Sequence, residues 1–124
     1  MAIDVIPADV RDFILKHIDS VAELEALLLL RANSNETWDP QRTAARLYAG
    51  EKEIKEVLMH LCAAGLLTCH DNLYRYESPP ETQAAIDRLA DAYSRYLIPV
   101  TNAIHAKSRR IREFANAFKF RKDQ

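Results

Sequence analysis

A mostly helical fold carrying one small β-hairpin is what this sequence predicts, on three observations. Apolar residues recur at i, i+3, i+4 and i+7 through most of the 124-residue chain, the period of amphipathic helices. Only two glycines interrupt it. One segment is of another kind: Leu58-Met59-His60-Leu61-Cys62-Ala63-Ala64-Gly65-Leu66-Leu67 reads as a helix end, a glycine stop and the start of a strand. A hairpin pattern follows from Leu67 to Tyr76 and turns at Asp71-Asn72. In the helix before the stop, Ile54, Leu58, Leu61 and Gly65 share one stripe, which is expected to face a core.

The remaining elements follow in order. Pro7 and Asp9 open a first helix whose Val10, Phe13, Ile14, His17 and Ile18 keep the helical period, with His17 at a core margin. Asp19-Ser20 breaks it, and Ser20 with Glu23 matches a capping box for a second helix. Leu24 and the run Leu27 to Leu30 make that helix apolar nearly all round, so it should be central. Arg31 to Glu36 is polar and loop-like. Asp39 then caps a third helix with Pro40 at its first position, and Ala44, Ala45, Leu47 and Tyr48 form its expected inner face. Ala49-Gly50 is the turn into a fourth helix, Glu51 to Ala64. Ser78-Pro79-Pro80-Glu81 matches another capping box, and a stripe runs on through Ile86, Leu89, Ala90, Tyr93, Tyr96, Leu97, Val100, Ala103 and Ile104. As one helix, residues 79–107 would be roughly 43 Å long, and Pro99 should kink or divide it.

A short helix, a turn, a longer helix, a glycine and a small hairpin together resemble the winged helix-turn-helix of bacterial MarR-type and PadR-type transcriptional regulators. The resemblance covers Leu24 to Tyr76 and is carried by Trp38, Pro40, Ala44-Ala45, Leu47, Leu58, Leu61 and Ala64-Gly65-Leu66-Leu67. It implies a mostly α fold: a winged helix-turn-helix with a two-stranded β-wing near residues 66–69 and 73–76, and a long C-terminal helix. It also implies a dimer, since such regulators often pair through helices outside the winged unit. The division expected is residues 1–77 as the winged domain, 78–107 as a long dimerising helix and 108–124 as a basic, Phe-rich tail. Ile86, Leu89, Tyr93, Tyr96, Leu97, Val100 and Ile104 are the dimerisation candidates, the alternative being a helix folded back onto its own domain.

Charge is unevenly spread. The net value of −1 divides into −6 over residues 1–99 and +5 over residues 100–124, which points to a functional tail or to internal pairing. In the tail, Ile111, Phe114, Ala115 and Phe118 share a helical face among basic residues, and Phe120 adds a third phenylalanine. Docking of this face on the acidic remainder is expected, ahead of a partner or a membrane surface. Cys62 and Cys69 are expected to be reduced and buried, in keeping with a cytoplasmic chain. The N-terminus shows no signal-peptide pattern, and the longest apolar run, Ala26 to Leu30, is far short of a membrane span; no membrane partner is expected.

No enzyme chemistry is expected. His60, Cys62, Cys69 and His70 invite a zinc reading, but His60 and Cys62 lie ~200° apart round a helix and Cys69 and His70 point to opposite faces of a strand. A glycine-rich phosphate loop and a framed nucleophile are both missing, so neither metal nor cofactor is expected. Two function classes remain. One is a homodimeric, cytoplasmic regulator binding double-stranded DNA through Arg42, Arg46, Lys52, Lys55, Glu56, Met59, His60 and Arg75. The other keeps the fold but binds a protein partner through the acidic fourth helix or the Phe-rich tail. Fold analogy favours the first, and the DNA-binding regulator is the function expected, with the protein-interaction module as the alternative. Surface chemistry favours the second, because Lys52, Glu53, Glu56, Met59, His60 and Ala63 are a poor set for phosphates and guanines.

Overall fold

The computed structural model of the chain describes residues 5–122, with side chains described for 5–117. The element order is α1 (Ala8–His17), α2 (Val21–Ala32), α3 (Pro40–Leu47), α4 (Glu51–Ala63), β1 (Leu67–His70), β2 (Leu73–Tyr76), α5 (Pro80–Arg95) and α6 (Leu97–Lys122). This is a mostly helical fold with a two-stranded antiparallel wing after α4 and a long C-terminal helix.

Local chemistry starts and stops these elements. Ser20 Oγ accepts from Glu23 N at 3.2 Å. The reciprocal arm reaches one residue further back than in a standard capping box, with Asp19 N donating to Glu23 Oε1 at 3.0 Å. Asp39 Oδ1 accepts from Arg42 N at 2.7 Å, with Pro40 at the first helical position. Gly65, at φ +82°, ends α4 in the left-handed conformation. Asp71 and Asn72, at φ 51° and 65°, form the tight hairpin turn whose twist suits antiparallel strands. The pairing runs from Leu67 opposite Tyr76 to His70 opposite Leu73, one residue later on β1 than the sequence predicts.

The core sits round α2. Leu24, Ala26, Leu27 and Leu30 are fully buried, and α2 meets α3, α4, α6 and β2. Ile54, Val57, Leu58 and Leu61 give it the inner face of α4. Trp38, also fully buried, bridges to Tyr74 through two backbone hydrogen bonds of 2.8 and 2.7 Å, fastening the start of α3 to the wing.

Several expectations are corrected. Tyr48 does not join the inner face of α3. It caps the helix at φ 55°, a left-handed backbone that turns its side chain outward, and Ala45 is exposed as well. Ser78 does not cap α5; the N-cap is Pro79, with no side-chain bond. Residues 79–107 are two helices, divided at Tyr96, with Pro99 in the first turn of α6 where a missing N–H costs nothing. Cys62 and Cys69 are not free thiols: they form a disulfide. The last turn of α4 runs beside β1 and brings their Cα atoms to 6.2 Å, within disulfide reach. The cytoplasmic expectation loses its cysteine argument accordingly. Among the described residues no helix is long and apolar enough to cross a membrane.

The dimerisation stripe is largely spent inside the chain. Ile86, Leu89, Val100 and Ile104 are fully buried in the same core, Tyr93 and Tyr96 are half-buried, and Leu97 is half exposed. A 3.6-residue period marks the face that is buried but not the surface that buries it. The tail differs from its expectation too. It continues α6 without a break, and every residue from 109 to 117 is exposed, so Ile111 and Phe114 do not dock on this chain. The side chains of Phe118 and Phe120 lie outside those described.

Candidate functional site

The outward side of α4 and the facing side of the wing form the main candidate surface. Burial of Ile54, Val57, Leu58 and Leu61 leaves Glu51, Lys52, Glu53, Lys55, Glu56 and Met59 in solvent. Gly50 is the N-cap and provides no side-chain bond; Glu51 and Glu53 fill the first turn, where carboxylates complement the helix dipole. Between α4 and the wing lies a groove of about 490 Å³, bounded by Lys55, Met59, Ala63, His70, Asn72 and Tyr74. The Cys62–Cys69 bond is part of its lining and holds its two sides together.

The arginines expected to help read DNA are placed differently. Arg42 lies 3.7 Å from the centre of the Trp38 ring, donates to Thr37 O at 3.1 Å and pairs with Glu36. Arg46 covers the same ring from 5.5 Å. Arg75 donates to Ser34 O at 3.3 Å. All three remain exposed at the surface, but two of their guanidiniums are engaged by loop groups and two by the tryptophan. Of the eight proposed DNA contacts, the structure brings together only Lys52, Lys55, Glu56 and Met59 on one open face.

His60 belongs to a second cluster, which sequence reasoning missed. Its Nδ1 lies 3.1 Å from Glu23 Oε1 and its Nε2 3.7 Å from Asp19 Oδ2. Lys107, from α6, reaches the same place nearly buried: its Nζ donates to Ile14 O and Ile18 O at 2.9 Å each and pairs with Asp19 Oδ1 at 2.7 Å. The ammonium thus gives Ile18 O a donor and Ile14 O, which already accepts from Ile18 N, a second one, at the negative end of the α1 dipole. Ser108 Oγ adds a bond to Asp19 O. Burial pushes the Glu23 carboxyl above its ordinary value, against hydrogen bonding from Asp19 N and the nearby His60, which favour the charge. His17 is shifted down, first by burial and then by Lys16, Lys107 and His60.

The ligand atoms of Asp19, Glu23 and His60 lie within 4.8 Å of one another, a spacing that could suit a metal ion. The Lys107 ammonium, however, already supplies a cation to Asp19, and Glu23 already accepts from Asp19 N. The cluster ties α1, α2, α4 and α6 together, and its chemistry is that of a structural ion network. Only Glu23 had a sequence signal, its capping box with Ser20; nothing local marks Lys107.

The third candidate is the exposed end of α6, with Ile111 and Phe114 one helical turn apart among Arg109, Arg110 and Arg112. Comparison of the chain with protein-family models, curated proteins and solved structures finds no match.

Proposed function

We propose that this chain is a non-enzymatic interaction module that uses a winged-helix layout to bind protein, through the α4–wing face. The observation that carries this reading is the composition of the open side of α4. Three glutamates, Glu51, Glu53 and Glu56, stand there against two lysines, with Met59 53% exposed beyond them and Tyr48 97% exposed at the preceding turn. An exposed Met lining a shallow apolar groove, with an exposed Tyr at the turn that leads into the same helix, suits a protein surface, where aromatic residues and methionine are enriched. Such a face suits a phosphate backbone poorly, because the acidic groups lie where a recognition helix would approach the duplex.

A second reading stands on the layout itself, a helix-turn-helix with a wing beside α4, the arrangement of MarR-type and PadR-type regulators. On that reading Lys52, Lys55, Arg46 and Arg75 contact a duplex, and the chain works in the cytoplasm. Fluorescence anisotropy with sheared genomic duplex across a salt series decides between them. The protein-binding reading expects no measurable affinity at moderate salt and no gain from Glu53→Gln with Glu56→Gln. Duplex binding that tightens with that pair and weakens with Lys52→Ala and Arg75→Ala overturns it in favour of the regulator.

A further inference from the structure

We infer that the protein bound at the α4–wing groove is a second copy of this chain, which inserts the exposed end of its α6. The inference rests on the protein-binding reading above and names its partner.

The end of α6 needs an occupant for its apolar side. Nine consecutive residues, 109–117, are exposed, and isolated helices of that length are marginal in water. Ile111 is 53% exposed and Phe114 67%. Both continue the stripe on which Val100 and Ile104 are fully buried, so α6 is designed to bury this side but runs out of its own core after Lys107.

Charge selects the surface that meets it. The last 25 residues carry +5 and the first 99 carry −6, and the described part of the free end shows three arginines against Glu113. Pairing two such ends with each other would set arginines against arginines, at a cost. The open side of α4 offers a net negative surface: Glu51, Glu53 and Glu56 outnumber Lys52 and Lys55 there, and the adjoining groove is lined by Lys55, Met59, Ala63, Asp71 and Tyr74. The lengths also agree. Residues 109–122 of α6 span ~21 Å and the thirteen residues of α4 ~20 Å. Each copy has one free helix end and one groove, so a reciprocal exchange closes as a two-fold dimer.

Sedimentation velocity on the full chain, over a concentration series at low and high salt, is the test. The expected result is a dimer that loosens as salt rises. Glu53→Arg with Glu56→Arg should weaken it about tenfold, and so should Arg109→Glu with Arg112→Glu. All four changes together should bring it back to within about threefold of the unmodified chain. Phe114→Ser should weaken it at every salt concentration, with helical circular dichroism retained because the residue is exposed. A chain that stays monomeric, a dimer indifferent to Phe114→Ser, or a charge-exchanged chain that fails to recover overturns the inference. So does a monomer that binds phosphatidylserine vesicles through Ile111 and Phe114, which would assign the helix to a membrane surface. A monomer that also ignores duplex DNA defeats this inference alone; duplex affinity gained by Glu53→Gln with Glu56→Gln defeats the protein-binding reading beneath it.

Discussion

The first half of α6 and its last described turns carry the same apolar period, yet only the first half is buried. Val100, Ile104 and Lys107 are enclosed by α1, α2 and α5, whereas Ile111 and Phe114 stand in solvent. Burial in one half and exposure in the other cannot come from composition, since both stripes are apolar. They differ in what lies opposite: the core ends with the α1–α2 corner, and Lys107 bonds to that corner's carbonyls as the last enclosed residue. An amphipathic stripe is therefore a demand for a partner, and the fold decides whether the chain itself provides one.

The largest effect should come from cutting into the enclosed half. Ile104→Ala should cost about 2–5 kcal/mol of unfolding free energy by urea titration, for lost burial plus the cavity left. Ile111→Ala, the equivalent change on the free half, should stay within about 0.5 kcal/mol when measured in dilute monomer. Equal costs would break the comparison.

Lys107 and Arg109 sharpen it at the boundary. Lys107→Met keeps much of the side-chain volume but removes the donor to Ile18 O, the second donor to Ile14 O and the cation paired with Asp19 Oδ1, so a loss of about 1–3 kcal/mol is expected. Arg109→Ala should again fall within about 0.5 kcal/mol. Removing residues 109–124 should likewise change the melting temperature of dilute monomer little, the opposite of what a docked tail would give. A fall of several degrees by circular dichroism would show that the end of α6 packs on its own chain.

The smallest effect is a pH dependence near the same boundary. His17 is held below its ordinary pKa of 6.5, mainly by burial and then by the cations around it. Its neutral form is the one the fold prefers, so its contribution is present above pH 6.5 and is lost as pH falls through the lowered folded value. His17→Gln should flatten the fall of melting temperature in that acid window and leave the value at pH 8 nearly unchanged. Glu23 works in the other sense. Its carboxyl is raised by burial, so its contribution is complete below pH 4.5 and declines as pH rises through the folded value. A His17→Gln profile identical to that of the unmodified chain would remove His17 from this account.

Features that rest on a few adjacent residues were legible in the sequence, apart from the Ser78–Glu81 box, which does not form. Ser20, Asp39, Gly65 and the Asp71–Asn72 turn all act within four residues of themselves, and all sit where their chemistry places them. Tyr48 was not legible, because a left-handed cap made by an aromatic has no glycine to announce it. The Cys62–Cys69 pairing depends on how far the last turn of α4 overlaps β1, a tertiary fact. Lys107 escaped for another reason: lysine is almost never enclosed unless paired, and its partners are residues 14, 18 and 19. As for the candidate site, the open side of α4 was read correctly at Lys52, Glu53, Glu56 and Met59, but His60 turns back to Asp19 and Glu23.

The bond between Cys62 and Cys69 makes residues 62–69 a closed macrocycle, with α4 entering it and β1 leaving it. A protease cut between Gly65 and Leu66 would open the chain without releasing the wing, and non-reducing electrophoresis would still show one species. For any molecule that settles in the groove, α4 and the wing are thus already fixed in register. The entropy of bringing those two walls together is lost during folding, so none of it is subtracted from the affinity.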